Sequence, residues 1–232
     1  MRGKNPIRGQ DTDSKKIYLE KIFYTIQGEG PFSGYPAIFV RLSGCNLKCY
    51  FCDTAFEDFN YNLGVEEIID MINSINKHKA KLIVITGGEP FRQNITPLVD
   101  KLINLGFKVQ IETNGTLFLA LPWSKDLTIV CSPKTISLNQ NLIPYINYYK
   151  YIIQADYVSS CDGLPEYNSQ MTSASSRIAR PCDNFNKDNI YVLPMDEFDE
   201  IKNERNIAAC VSVSLKYGYK FNLQIHKYAK IE

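Results

Sequence analysis

The sequence is short of the features that mark a nucleic-acid, membrane or secreted protein. Its 26 Lys and Arg nearly cancel 25 Asp and Glu, a net charge of +1, so it lacks the basic surface that nucleic acid or anionic lipid requires. No apolar run approaches the ~20 residues that cross a bilayer. No internal repeat and no second domain boundary is visible. Residues 1–16 lack the apolar segment of a signal peptide and carry Asp11 and Asp13. They read as a flexible N-terminal tail to a single domain of residues 17–232, long enough to bury a core without disulfide staples. Of seven cysteines, Cys131, Cys161, Cys182 and Cys210 are widely separated and read as packing residues. A redox role stays open for Cys161 and Cys182, which fall in a polar loop.

The other three stand together. Cys45, Cys49 and Cys52 are spaced C-x3-C-x2-C, directly after the strand-like run at 37–42. Soft thiolates select iron–sulfur clusters, zinc or Cu(I). A structural zinc site is closed by four ligands, and no fourth Cys or His stands at zinc-finger spacing. A four-iron cluster is ordinarily held by four cysteines; three leave one iron open to a small molecule. Zinc with a distant fourth ligand, and thiols clustered by chance, remain the alternatives. Clustered thiols also point to a reducing, cytoplasmic setting.

The rest of the chain alternates strand and helix signals. Residues 17–26 are rich in β-branched and aromatic residues and end in the turn Gln27-Gly28-Glu29-Gly30-Pro31. Val65, Ile68, Ile69, Ile72 and Ile75 recur at helical spacing over 65–77. The apolar run 82–85 fits a strand buried on both faces and ends in Thr86-Gly87-Gly88-Glu89-Pro90. A helix over 96–105 stops at Gly106. Strands follow at 107–111, 127–131 and 151–155, the first two ending in Glu112-Thr113-Asn114-Gly115 and Ser132-Pro133-Lys134. Residues 156–189 form a long polar loop containing Ser173, Ser175 and Ser176. A strand at 190–193, a helix over 204–217 ending at Gly218 and a last strand at 221–225 running into His226 complete the pattern. Polar, glycine-bearing motifs at the carboxyl ends of strands are where parallel α/β sheets and barrels build their sites.

The thiol motif, Gly87-Gly88-Glu89-Pro90 and the two strand-end motifs together resemble the radical S-adenosylmethionine (SAM) superfamily. Within it, the sequence is similar to the 7-carboxy-7-deazaguanine synthase family of queuosine biosynthesis. That likeness is carried by Thr25-Ile-Gln-Gly-Glu-Gly30, Arg41-Leu-Ser-Gly-Cys45, Cys52-Asp-Thr54, Asp162-Gly-Leu-Pro165, Ala179-Arg-Pro181 and Leu223-Gln-Ile-His-Lys227. It spans residues from about 18 to the C-terminus.

The resemblance implies an incomplete (β/α) TIM-like barrel holding a 4Fe-4S cluster on Cys45, Cys49 and Cys52. SAM would chelate the open iron and supply a radical that takes a hydrogen from 6-carboxy-5,6,7,8-tetrahydropterin. Ring contraction and loss of ammonia would give 7-carboxy-7-deazaguanine. It further implies SAM contacts from Phe51, Asp53, Gly87, Gly88, Glu89, Asn114, Ser132, Pro133, Lys134, Leu193, Pro194, Met195 and Asp196. Glu89 would orient the SAM amino group, and the two glycines would let the backbone lie against its methionine end. Ile26, Gln27, Gly28, Glu29, Arg41, Thr86, His226 and the terminal Glu232 would contact substrate, Arg41 taking the carboxylate. Thr54 would be a Mg²⁺ ligand. The family often has Gln at Leu193, and some members end in Pro where Glu232 stands. An electron donor such as flavodoxin or ferredoxin and a homodimer follow as further implications, with no nucleic-acid or membrane partner. A glycyl-radical activase of the same superfamily and a non-catalytic zinc-stabilised module are the competing expectations.

Overall fold

A computed structural model describes residues 3–170 and 177–231. Ser173, Ser175, Ser176 and Glu232 therefore lie outside the described residues. The chain runs β1 (Ile17–Ile26), β2 (Pro36–Leu42), β3 (Tyr61–Leu63), α1 (Val65–Ile75), β4 (Leu82–Gly87), α2 (Thr96–Asn104), β5 (Lys108–Thr113), β6 (Leu127–Cys131), β7 (Tyr148–Ile153), β8 (Ile190–Pro194), α3 (Glu200–Tyr217), β9 (Lys220–Phe221) and α4 (Ile225–Ala229). The strands form one sheet ordered β3-β1-β2-β4-β5-β6-β7-β8-β9. β1 is antiparallel to both neighbours; from β2 onward every pairing is parallel. With β3 and β9 unjoined, the sheet is an open, incomplete (β/α) barrel.

The two faces of this sheet follow the strands' period of two. On the outer face Ile38, Val40, Leu42, Ile83, Ile85 and Ile111 pack with Ile68 and Ile72 of α1 and Leu98 and Leu102 of α2, all fully buried. Each such side chain stabilises the fold by roughly 1.5–3 kcal/mol through removal from water. On the inner face Ala37, Leu82 and Val84, joined by Phe32 and Phe39, form a separate small apolar cluster. Above it the inward positions turn polar: Arg41 and Thr86 are register partners on β2 and β4, and Gln110 and Lys150 are buried on β5 and β7. A parallel strand buried on both faces is ordinarily apolar throughout, so these polar positions mark the site.

Helices link β3 to β4 and β4 to β5; among the described residues the crossovers into β6, β7 and β8 contain only loops and 3-10 turns, in line with the long loop expected over 156–189. Several boundaries differ from expectation. β7 begins three residues earlier than expected, and α3 begins at Glu200 because the Asp199 side chain accepts from the Lys202 N–H and caps it. Gly218 closes α3 in the left-handed conformation, φ 81°, as the sequence indicates. The last strand stops at Phe221, and His226 lies on α4 rather than at a strand end.

Nor is the N-terminal segment loose. Asn5 is buried and donates to the Leu47 carbonyl at 2.8 Å. Arg8 N–H donates to the Cys45 carbonyl at 2.8 Å, and Asp11 N–H to Arg92 at 2.7 Å. Arg8 also pairs with Glu57 at 2.8 Å. These bonds lash residues 5–11 along the cysteine loop, and a composition lacking apolar periodicity gives no sign of them.

Candidate active site

The strand ends deliver the site. Leaving β2, the chain passes Ser43 and Gly44 and enters the cysteine loop. Leaving β4, it passes so close to that exit that side chains are excluded. A Cβ on Gly87, whose φ is +123°, would come within 2.1 Å of the Leu42 carbonyl oxygen, and one on Gly88 within 1.9 Å of that of Gly44. The paired glycines are therefore required first by the crossing of two backbones. Glu89 N–H then donates to the Gly44 carbonyl at 3.1 Å, tying the β4 exit to the cysteine loop.

Cys45 is buried, Cys49 and Cys52 are half-buried, and all three thiols are free. They line one cleft of about 250 Å³ together with Phe51, Asp53 and Thr54. Burial and then the nearby Glu89 carboxylate push the Cys45 thiol up to about 12; burial raises Cys52 as well. Thiols so placed keep their protons until a metal displaces them, since the thiolate is the ligand. The donor set suits an iron–sulfur cluster with one iron left open: three thiols and no fourth cysteine beside them. Asp53, the carboxylate directly after Cys52, is engaged with Lys227 at 2.5 Å.

Around the same cleft stand Gly87, Gly88, Asn114, Ser132 and Lys134 at the ends of β4, β5 and β6, and Ile26, Gln27, Glu29, Arg41, Thr86 and His226. Burial lowers the pKa of Lys134, and its ammonium bonds Ser132 Oγ. Asn114 donates to Asn46 at 3.0 Å, bracing the cysteine loop. The Arg41 guanidinium lies over the Phe23 ring at 5.0 Å. Its Nε is buried without a hydrogen-bond partner, Glu20 standing 3.9 Å away. Arg41 also lines the cleft, where a guanidinium is suited to an incoming carboxylate.

Other expected contacts lie elsewhere. Glu89 is fully buried behind the cleft. It accepts from Phe91 N–H at 3.1 Å, Thr113 Oγ1 at 2.7 Å and Asn114 N–H at 2.8 Å. It thus positions the β5 exit and does not itself line the cleft. Burial outweighs these bonds and pushes its pKa up to about 7. Gly28 also stands back: a Cβ there would come within 2.3 Å of His226 Nδ1, so its bareness makes room for that ring. Pro133 does not line the cleft, and Leu193 is fully buried. Pro194, Met195 and Asp196 line an adjoining cleft of about 520 Å³ that shares Gln224 with the first. Lys227 joins the two regions, holding Asp53 at 2.5 Å and Asp196 at 3.0 Å.

Sequence reasoning missed a buried network on the cleft wall. Lys150 of β7 lies 2.5 Å from Glu29 and also bonds Glu112 of β5. Gln224 donates to Glu29 at 2.6 Å, Gln27 to Glu112 at 3.2 Å and Gln110 to Glu112 at 2.6 Å. Burial pulls the pKa of Lys150 down, but Glu112 and Glu29 more than reverse this and raise it. The expected strand at 151–155 left Lys150 outside; placed in β7 between Tyr149 and Tyr151, a buried lysine is rarely without a charged partner.

The Radical SAM superfamily model matches residues 39–126. Along its whole length the chain is 41% identical to the 7-carboxy-7-deazaguanine synthase of Rhodospirillum rubrum, covering 100% of both chains. It is 42% identical to the 7-carboxy-7-deazaguanine synthase of Rickettsia prowazekii, covering 100% of this chain and 96% of that one. A crystal structure of QueE from Escherichia coli shares the fold with a TM-score of 0.65, covering 90% of this chain and 93% of that chain at 24% identity.

Proposed function

For a chain that belongs to the 7-carboxy-7-deazaguanine synthase family of radical SAM enzymes, we propose a division of the cleft into a cluster end and a pterin end. The enzyme is a radical SAM lyase that converts 6-carboxy-5,6,7,8-tetrahydropterin to 7-carboxy-7-deazaguanine with loss of ammonia. The 4Fe-4S cluster with SAM supplies the electron and the radical that removes a substrate hydrogen, chemistry no side chain provides. Cys45, Cys49 and Cys52 hold that cluster. Gly87, Gly88, Asn114, Ser132 and Lys134 flank the methionine end of SAM, and Pro194, Met195 and Asp196 flank its adenosine.

At the pterin end, Arg41 takes the substrate carboxylate, and Glu29 with the backbone of residues 26–28 accepts from the N–H groups of the pyrimidine edge. Thr86 and His226 close the sides. Lys150 keeps Glu29 ionised, so the acceptor is in its charged form before substrate arrives. Magnesium at Thr54 belongs to the same reading. Among the described residues no trio of His, Cys, Asp or Glu side chains forms a single-ion cage. Substrate oxygens and water then complete the shell, as this cation ordinarily requires.

The observation that carries the reading is that the three thiols line the same cleft as Arg41 and Glu29. The activase and zinc-module readings are not favoured, because full-length relatives carry the synthase name. No helix among the described residues is long and apolar enough to cross a membrane. A cytoplasmic setting, a homodimer and a flavodoxin or ferredoxin donor extend the reading on the strength of the family. Anaerobic reconstitution with iron and sulfide, followed by metal analysis and electron paramagnetic resonance with and without SAM, tests the cluster end. About four irons per chain and a spectrum perturbed by SAM support it; one zinc per chain and no iron uptake contradict it.

A further inference from the structure

The long loop between β7 and β8 has no part in the chemistry just described, yet it returns to the cysteine loop. Asp162 and Arg180 close its base: Arg180 Nε lies 2.6 Å from one carboxylate oxygen and its terminal nitrogen 3.2 Å from the other. The second terminal nitrogen binds the Pro165 and Ile178 carbonyls at 3.1 Å each. From this clasp the arm reaches Ser169, only 2% exposed. Ser169 N–H donates to the Lys134 carbonyl at 3.0 Å, and its own carbonyl accepts from Tyr50 N–H at 3.2 Å.

Two side chains of the arm meet one sulfur. Ser169 Oγ lies 3.0 Å from Cys49 Sγ and 3.1 Å from the Lys134 carbonyl; its single proton goes to one or the other, and a sulfur carrying negative charge is the stronger acceptor. Gln170 Oε1 accepts from Lys48 N–H at 2.9 Å, which turns its amide nitrogen toward Cys49 Sγ at 3.2 Å and Ser169 Oγ at 2.8 Å. The other two sulfurs are treated differently. Cys45 Sγ accepts from Leu47 N–H at 3.4 Å, and Cys52 Sγ faces the Thr54 carbonyl at 3.9 Å.

We propose that Ser169 and Gln170 are positioning residues that raise the reduction potential of the cluster through hydrogen bonds to Cys49. A donor aimed at a ligand sulfur stabilises the added negative charge of the reduced state, one of the means by which proteins spread cluster potentials. The inference rests on the reading that the three thiols hold a cluster. It gives the Asp162–Arg180 clasp a purpose: holding the arm at a fixed distance from Cys49.

The test is a potentiometric titration of reconstituted protein followed by electron paramagnetic resonance, without SAM or pterin. It compares wild type with Ser169→Ala, Gln170→Met, the double variant and Ser169→Thr. The expected result is a lower midpoint in each single loss and about a tenfold weaker reduction equilibrium in the double, ~59 mV for one electron. Ser169→Thr, which keeps the hydroxyl, should match wild type. Because the midpoint is read on the loaded fraction, partial occupancy does not obscure it. Unchanged midpoints in both single variants overturn the proposal, as does failure of both to load a cluster despite wild-type helix content, which makes the arm a structural staple. Failure of the wild type itself to load a cluster strikes the family reading instead.

Discussion

Lys150 Nζ lies 2.5 Å from Glu29 Oε2, joining residues 121 positions apart on the wall of the cleft. Glu112 bonds the same ammonium from the neighbouring side, so one cation serves two carboxylates in a buried setting. Burial pushes Glu29 up, but the charge and hydrogen bond of Lys150, with the bond from Gln224, overcome it and hold Glu29 at about 2. Glu29 on the cleft wall is thus held in its charged form.

Replacing Lys150 by Met should therefore be costly. It strands two buried carboxylates, and breaking a buried ion pair from one side costs roughly 3–5 kcal/mol. The sign of the pH dependence follows from Glu29, whose folded value of about 2 lies below its ordinary 4.5. Its contribution is present above pH 4.5 and is lost as the pH falls toward 2. Urea unfolding of wild type across that window should show this loss, and Lys150→Met should be weaker at neutral pH with a flatter acid limb. Equal stability of the two proteins at pH 7 contradicts the account.

Glu89 behaves in the opposite sense. Its folded value is about 7 against an ordinary 4.5, so its contribution is complete below pH 4.5 and lost as the pH rises through 7. Glu89→Gln should abolish this share of the slope while losing one acceptor of a buried network, about 1–3 kcal/mol. Thermal melts between pH 5 and 8 read both effects. A variant whose pH slope equals wild type shows that the carboxyl does not titrate there.

Gly88→Ala tests the backbone crossing. The added methyl would meet the Gly44 carbonyl oxygen at 1.9 Å and the Cys45 nitrogen at 2.9 Å, so β4 and the cysteine loop must separate. Overpacking of this kind costs about 1–3 kcal/mol or more. The variant should melt lower and, after reconstitution, hold less iron. Wild-type iron content places the requirement for glycine elsewhere.

Arg41→Ala should act on the substrate rather than on the cluster. Loss of a charge-assisted bond is worth about 1.5–3 kcal/mol, a fall of roughly tenfold to a hundredfold in kcat/KM for the pterin. Reductive cleavage of SAM without pterin should persist. Loss of both activities together would place Arg41 in the cluster's support, and unchanged pterin turnover would remove the carboxylate clamp.

Much of this was legible in the sequence because it was local. The three thiols, the paired glycines and Arg41 sit within short motifs at strand ends, and the strands' parallel register brings Arg41 beside Thr86. What was not legible depended on distance. Glu29, Glu112, Lys150 and Gln224 come from four separate elements, and no spacing predicts their meeting. For the Gly-Gly pair the sequence does not display the packing reason: the space a side chain would fill is occupied by Leu42 and Gly44. Residues 5–11 are held mainly by bonds to backbone carbonyls and one surface ion pair, which leave no hydrophobic pattern behind. The lack of helical spacing between β5 and β8 was legible: residues 156–189 read as a long polar loop, and among the described residues no α-helix stands there.

The most direct test is turnover. Anaerobically reconstituted protein is mixed with SAM, a reductant, Mg²⁺ and 6-carboxy-5,6,7,8-tetrahydropterin, and product is followed by mass and ultraviolet absorption while SAM is quantified. The account predicts 7-carboxy-7-deazaguanine with no net consumption of SAM. A loaded protein that cleaves SAM but leaves the pterin unchanged would contradict the synthase assignment while leaving the cluster in place.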